Sequence, residues 1–296
     1  MSCDKLTIVI PVLNEEQAIG KVLEEILSEG YKPQQILVVD GGSTDRTVEI
    51  ARKYGVKVLQ QEGRGKAKAL QTALKHVSTE YVLVMDGDYT YPAQHIGELL
   101  EKIERERQDE VIGRRVFNPK TQPLTFRFGN HALTLLFNLL FGVRLRDVLS
   151  GMYIVRTERL RDMAWETKGF SVESEIAAHI ASTTGKISEH PIQYRQRIGK
   201  KKLGVLHGIQ IAKDMIRLAW RYNPAFFIFM LGSLLLIPGL ALGAYVAYHY
   251  FFTGIKYYVK GLIALVMVMT GFQSLMLAIL AVYMKRMEYR LSLIHI

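Results

Sequence analysis

Through the first two hundred residues, short apolar runs alternate with amphipathic stretches. Residues 6–12 (LTIVIPV), 35–40 (QILVVD), 56–60 and 81–85 (YVLVM) are short, rich in β-branched residues and bounded by turn formers, which predicts buried strands. The intervening stretches 16–28, 44–54 and 66–77 carry helical periodicity, so the order is βαβαβαβ and a parallel sheet with helices on both faces is expected. Residues 93–106 predict a further helix, opened by Pro92 in its first turn. Beyond Glu106 the pattern loosens. It predicts a strand at 110–112, an apolar helix at 126–141, a strand at 152–155, a helix at 172–182 and a strand at 186–194. The segment NPKTQP, residues 118–123, is expected to be a mobile loop.

From Ala225 the pattern changes character. Residues 225–248 and 261–284 are two uncharged apolar runs. Each would form a helix of about 36 Å, enough to cross a hydrocarbon core of about 30 Å. The first is expected to kink at Pro238. The aromatic linker between them, with Tyr250, Phe251, Phe252, Tyr257 and Tyr258, suits the headgroup level of a bilayer. The expected organisation is therefore a domain over 1–205, an amphipathic juxtamembrane segment over 206–224 and two spans within 225–290. The alternative for the tail is a buried helical hairpin in a soluble protein. The last six residues, LSLIHI at 291–296, match what one frame of a sequencing-library transposon end encodes and are set aside as a suspected artefact.

Charge refines this picture. The 296 residues contain 38 Lys and Arg against 28 Asp and Glu, a formal net charge of +10. The basic residues crowd beside the first span (Arg195, Arg197, Lys200, Lys201, Lys202, Lys213, Arg217, Arg221) and follow the second (Lys285, Arg286, Arg290). Lipid explains such clustering better than nucleic acid does, so a bilayer partner is expected and a nucleic-acid partner is not. The positive-inside bias places the large domain and the C-terminus in the cytoplasm, and the expected location is a multi-pass protein of the cell membrane. A single cysteine, Cys3, excludes a disulfide-stapled secreted scaffold. No N-terminal signal peptide is expected, because polar residues follow the short apolar run 6–12 at once.

In open α/β sheets ligands sit beyond the carboxyl ends of the strands, and there the polar residues of this chain concentrate. Gly41, Gly42, Ser43, Thr44 and Asp45 follow one strand; Asp86, Gly87 and Asp88 follow another. Two carboxylates about 4 Å apart repel by roughly 4 kcal/mol at an effective dielectric near 20. A divalent cation removes that cost, and hard oxygen ligands suit Mg2+ or Mn2+ shared with a substrate diphosphate. A solvated Asp-Gly-Asp turn is the plain alternative.

PVLNEE (11–16), VVDGGSTD (38–45), GRGKAKAL (63–70) and DGDYTYP (86–92) occur in this order at or just after strand-to-helix junctions. Together they resemble the family 2 glycosyltransferases of the GT-A fold, over about residues 5–205. RDVLSGMYIV (146–155) and YRQRIGKKKLG (194–204) are similar to segments of the polyprenyl-phosphate glycosyltransferases, the dolichyl-phosphate mannose synthase group. The resemblance implies an α/β fold of the GT-A type, with a Rossmann-like, mostly parallel sheet, followed by two C-terminal transmembrane helices. It also implies that Pro11, Glu15 and Asp40 hold the nucleotide base and ribose, that Asp86 faces the ribose and diphosphate, and that Asp88, with Asp86, ligates the metal. Pro11 could instead simply end its strand, and Asp40 and Asp45 could be turn or cap residues.

Two departures bear on the donor. The family often has a second acidic residue after the one at Asp40, where this chain has Gly41. Mannose synthases commonly carry Gln where this chain has Thr90, which favours a UDP-sugar over GDP-mannose.

A phosphate acceptor is already mostly dianionic at pH 7, so it asks for cations more than for a base. The resemblance assigns Arg115, Arg127 and Arg197 to phosphates, and Arg forks suit phosphate oxygens. Arg197 could also belong to the lipid-attracted flank. The helix at 126–141 is either an ordinary core helix or one lying on the membrane surface. His131 on it lacks the partners of a metal ligand. Glu173 and Glu175 fall where the family often has acidic residues, or simply favour a helix start.

The expected activity is inverting, metal-dependent transfer of a hexosyl unit to a polyprenyl (dolichyl) phosphate, with Asp86, Asp88 and Arg197 at the centre. The candidate donors are UDP-glucose, UDP-N-acetylglucosamine and GDP-mannose. A different lipid or polysaccharide acceptor is the alternative, although the QxxRW motif of processive synthases is absent. A non-catalytic nucleotide-sugar-binding membrane protein is another. A dinucleotide-binding site is disfavoured, because Lys68 stands where Gly63-Arg64-Gly65 would need a third glycine.

Overall fold

The structure, a computed structural model, describes residues 5–116, 118, 124–166, 172–199 and 205–292. The chain divides into two compact units, residues 1–218 and 219–296. In the first, β1 (Leu6–Val12), β2 (Ile36–Asp40), β3 (Lys57–Gln60), β4 (Tyr81–Val84), β5 (Glu110–Arg115), β6 (Tyr153–Arg156) and β7 (Ile187–Ile192) build one seven-stranded sheet. Helices α1 (Ile19–Ser28), α2 (Thr47–Lys53), α3 (Lys66–Leu74), α4 (His95–Glu106), α5 (Leu124–Phe141), α6 (Thr157–Arg161) and α7 (Val172–Thr183) connect the strands, and α8 (Val205–Tyr222) contains the boundary between the units.

The strand order is β3-β2-β1-β4-β6-β5-β7. The sheet is mostly parallel, as expected: β1 to β4 are parallel throughout and β5 pairs parallel with β7, while β6 alone runs antiparallel to its neighbours β4 and β5. Reversal of a single strand has a large consequence for the site. The carboxyl ends of β1, β2, β4, β5 and β7 and the amino end of β6 all come to the same sheet edge.

Alternation along the central strands sets the core. Leu6, Ile8, Ile10 and Val12 of β1, with Tyr81, Leu83 and Met85 on and just after β4, pack against Ile19, Val22, Leu23 and Ile26 of α1 and Ile96, Leu99 and Ile103 of α4. The alternate residues Val9, Leu37, Val39, Val82 and Val84 are buried as well, as strands covered on both faces require. α1, α2 and α4 begin two or three residues later than the sequence pattern suggests, while α3 begins at Lys66 as expected. Residues 16–18 form a turn in which the Glu15 carbonyl accepts from Ala18 and Ile19, so α1 opens only at Ile19.

α5 packs one face inward and leaves another open. Thr134, Phe137, Leu140 and Phe141 are buried, while Leu124, Phe128, Leu135 and Leu139 form an exposed apolar stripe. Residues 117 and 119–123, most of the expected loop, lie outside the described residues.

In the second unit α9 (Pro224–Tyr248) and α10 (Tyr258–Ser292) pair as a hairpin through a π-helical turn at His249–Thr253. Pro224–Thr253 and Tyr258–Met284, with mean hydropathies of 2.4 and 2.2, are long and apolar enough to cross a membrane. α9 continues through Pro238. Small residues let the helices meet: a Cβ on Gly271 would lie 2.7 Å from the Leu236 nitrogen, and one on Gly239 would lie 3.0 Å from the Val268 nitrogen. Of the suspected terminal artefact, residues 293–296 lie outside the described residues.

Candidate active site

β4 hands the chain to Asp86, Gly87 and Asp88 at the functional edge. Gly87 is required by packing, because a Cβ there would sit 2.7 Å from Val12 Cγ1 on the neighbouring strand. Tyr89 follows with φ of 68°, and Asn14, after β1, has φ of 52°. These are two non-glycine residues in the left-handed region, both beyond strand ends at this edge, as is common where a fold over-determines a functional loop. Asn14 is held there by its own amide: Oδ1 accepts from the Thr44 backbone at 2.8 Å, and its N–H donates to Ser43 Oγ at 2.9 Å.

The two aspartates face different cations. Asp86 Oδ1 lies 2.6 Å from Lys66 Nζ, and the same ammonium lies 2.6 Å from Glu173 Oε1. On its other side Asp86 abuts Gly151, where a Cβ would collide with the carboxylate. Burial by itself would deprotonate Lys66, but the charges of Asp86 and Glu173 outweigh it and hold the ammonium well above its ordinary pKa. Lys66 therefore stays charged.

Asp88 is 6% exposed. Its Oδ1 accepts from Thr90 Oγ1 at 2.5 Å and from the Thr90 N–H at 3.1 Å, and its Oδ2 lies 3.1 Å from Arg197 Nη1. Burial and then the Asp86 charge raise its pKa, against the opposing pull of Thr90 and Arg197. Arg197 Nη2 also meets Glu15 Oε1 at 2.5 Å, which makes the guanidinium a bridge between the two acidic positions.

Arg197 reaches this place on a strap that follows β7. The strap is stitched to the loop after β4 by Arg195 N–H to Thr90 O at 2.9 Å and Ile198 N–H to Asp88 O at 3.2 Å. Arg195 forks onto Glu25 of α1 with two 2.8 Å bonds and stacks over Tyr89 at 4.8 Å. Tyr194 packs edge-on against Tyr91 at 5.3 Å.

The remaining expected residues lie on the same sheet edge or on α5. Pro11 is half-buried on β1, in register with Val39. Asp40 ends β2 and accepts from the backbone of Gly42 and Ser43, each at 3.1 Å, so part of its carboxylate shapes its own loop. Asp45 takes the plain role of a turn residue just before α2, accepting from Thr47 N–H at 3.0 Å. Arg115 ends β5 and forks onto Asp147. Arg127 is exposed on the first turns of α5. His131 is exposed on α5.

Among the described residues no group of three or more His, Cys, Asp or Glu is arranged to hold a metal ion. The donor set still fits a Mg2+-type ion, which usually takes one or two carboxylates and completes its shell with water and substrate phosphates. In the bare site Arg197 competes for Asp88, and its buried Nε, without a hydrogen-bond partner, is a donor suited to an anionic group such as a diphosphate oxygen.

A seven-stranded mixed sheet with an Asp-Gly-Asp turn at the end of β4 is the arrangement expected of a GT-A fold. The fold agrees with that of Mycobacterium tuberculosis glucosyl-3-phosphoglycerate synthase, at a TM-score of 0.58 and 21% identity over 74% of this chain and 80% of that one. The chain belongs to glycosyl transferase family 2, whose model matches residues 7–160. Glycosyltransferase AglJ of Haloferax volcanii is 32% identical over 94% of this chain and 93% of the relative. The dolichyl-phosphate hexose transferase of the same organism is 36% identical over 72% and 93%. The chain is thus a glycosyltransferase whose relatives include a polyprenyl-phosphate hexose transferase.

Sequence reading did not assign Lys66, Asn130 or Asp147 a role. Lys66 carried a usable signal, being the first helical residue after a glycine turn with Gly65 at φ of 91°. A cation at that junction faces the same sheet edge as the aspartates.

Proposed function

We propose that this protein transfers a hexosyl unit from a nucleoside-diphosphate sugar to a polyprenyl phosphate, with inversion and with a divalent metal, at the cytoplasmic face of a membrane. The observation that carries the reading is the buried Asp88, neutralised by Arg197 at the edge where Glu15, Asp40 and Asp86 also converge. Glu15, Asp40 and Pro11 would hold the nucleotide, and Asp86 and Asp88 the metal. When bound, that ion offsets the charge of the departing diphosphate. Arg197, released from Asp88, would move its guanidinium onto diphosphate oxygens, for which its fork is suited.

The acceptor needs no strong base. A phosphate monoester has its second pKa near 6 and attacks as a dianion. Its oxygen forms the new bond to the anomeric carbon as the bond to the diphosphate oxygen breaks on the opposite face. Arg115 and Arg127 would hold that phosphate. The dolichyl-phosphate relative supports this acceptor class, and the two apolar helices α9 and α10 supply a means of meeting a lipid. The cytoplasmic orientation rests on the basic flanks of the two runs.

The related fold crystallised with Mn2+ and UDP-glucose makes UDP-glucose the first donor to test. Thr90 adds weight to a UDP-sugar, because it clamps Asp88 with a short hydroxyl where mannose synthases carry the longer Gln. The test is the full chain in detergent, offered UDP-glucose, UDP-N-acetylglucosamine and GDP-mannose with a short polyprenyl phosphate and Mn2+ or Mg2+. We expect metal-dependent product with one donor, and a fall of at least about a hundredfold in Asp88→Ala. Absence of transfer to lipid phosphate, or full activity of that variant, refutes the reading.

A further inference from the structure

The end of β5 carries a polar clamp that the reaction as described does not explain. Arg115 Nε donates to Asp147 Oδ2 at 2.7 Å and Nη2 to Asp147 Oδ1 at 2.6 Å, and the Arg115 backbone N–H adds a third bond to Oδ2 at 3.0 Å. Asn130 of α5 closes a triangle. Its Oδ1 accepts from Arg115 Nη2 at 3.1 Å, and its Nδ2 donates to Asp147 Oδ1 at 2.9 Å.

Asp147 is in turn fixed from below. Its own N–H and that of Arg146 donate to Glu189 Oε1 on β7, at 2.7 and 2.8 Å. The Tyr194 ring lies 5.4 Å from the guanidinium carbon, on the strap that carries Arg197. Burial would push the Asp147 carboxyl up, but the Arg115 charge and the amide bonds outweigh it and keep the group below the ordinary carboxylate value.

Four donors on one buried carboxylate exceed what an ion pair needs for stability, since buried pairs are often no better than apolar packing. What the arrangement does secure is orientation. The fork fixes the guanidinium plane, and Nη1 takes none of these bonds, so its direction is set by Asp147. Through Asn130 the same carboxylate ties down α5, where Arg127 lies three residues earlier and hence on the same face.

We propose that Asp147 is a positioning residue for the acceptor phosphate. It holds Arg115 and, by way of Asn130, the first turns of α5 in one register, so that Arg115 Nη1 and Arg127 converge on a single phosphate monoester. This rests on the reading above in which those cations meet the acceptor.

The experiment compares wild type, Asp147→Asn, Asp147→Glu and Asn130→Ala as full chains in detergent. It records kcat and KM for polyprenyl phosphate, nucleoside-diphosphate affinity and unfolding temperature. We expect Asp147→Asn to raise the acceptor KM by about tenfold or more while kcat changes less than about threefold, the signature of a lost binding geometry. Donor affinity should stay unchanged, and Asp147→Glu should recover part of the loss. Asn130→Ala leaves the Arg115–Asp147 fork in place, and should raise the acceptor KM by about threefold or more while the protein still unfolds cooperatively.

If Asp147→Asn does not fold, Asn130→Ala decides alone. An unchanged acceptor KM in a folded variant overturns the proposal and leaves the transferase reading intact, as does an equal loss of donor and acceptor binding. If wild type itself makes no lipid-linked product, both fall together.

Discussion

Arg197 occupies the position of the positive charge that Asp88 would otherwise seek from a metal, so removing it should make the bare site a better metal site. The ion pair spans 3.1 Å between groups that are mostly buried. At an effective dielectric near 20 its gross attraction is about 5 kcal/mol. After desolvation is counted, a hydrogen bond to a charged group is worth about 1.5–3 kcal/mol. An incoming divalent ion must displace that interaction. Arg197→Gln removes the competitor and keeps a polar side chain of similar reach. Mn2+ affinity without nucleotide should therefore tighten by about ten- to a hundredfold, since 1.4 kcal/mol is a factor of ten.

With UDP present the sign reverses. The diphosphate then lacks its guanidinium, and nucleotide binding should weaken by about tenfold. Manganese EPR titration of the detergent-solubilised full chain, with and without UDP, reads both effects. Arg195→Gln is the control, because the Arg195 charge is balanced by Glu25 on α1 rather than by Asp88, and it should change Mn2+ affinity by less than about threefold. A folded Arg197→Gln protein that binds Mn2+ no better than wild type in the absence of nucleotide refutes the reasoning.

Other variants probe the buried charges. Lys66→Met leaves the buried Glu173 and the half-buried Asp86 without their shared ammonium, and with Asp86 partly screened by solvent the loss should be about 1.5–3 kcal/mol. Chemical unfolding should show the loss, and a change below about 1 kcal/mol would mean that Lys66 does not neutralise them. Glu110 is 1% exposed with Oε2 unpartnered, and burial followed by the Glu173 charge raises its pKa well above the ordinary carboxylate value. The folded chain thus holds a proton that the unfolded chain releases. This group's contribution is greatest below about pH 4 and declines as pH rises toward its folded pKa. Glu110→Gln removes that decline, so its unfolding temperature should gain on wild type between about pH 4 and 7; parallel curves would contradict the assignment.

The sequence revealed the strands of the first half well, because LTIVIPV, ILVVD and YVLV are short β-branched runs that no helix would prefer. β1 was expected at residues 6–12 and is found at Leu6–Val12. It did not reveal the direction of β6, since a run such as YIVR is equally apolar whichever way it lies, and direction is decided by the path of the chain around it. Asp86 and Asp88 were legible because they follow a strand in an α/β pattern, whereas Glu15 and Asp40 were drawn from the resemblance.

The cations that balance those acids were harder to read. Arg197 was drawn from a motif, but its partner Glu15 is 182 residues away, and Lys66 meets Glu173 across 107. The Asp147 clamp was missed for a related reason: RDVLSG reads as a loop, and only the sheet edge shows that its carboxylate receives Arg115. α5 escaped a single classification because one face packs inward while the opposite face is apolar and open.

The order in which the pieces of the site leave the ribosome differs from the order in which they touch. Asp86 and Asp88 are made early, and Lys66 precedes them, but Arg197 arrives only after β7, near the end of the first unit. A nascent chain that has completed β6 already displays the acidic turn and has nothing to offset Asp88. Biosynthesis thus exposes an interim state with surplus negative charge at the sheet edge, which the strap ends when it emerges. A truncated protein stopping before residue 194 would keep that surplus permanently.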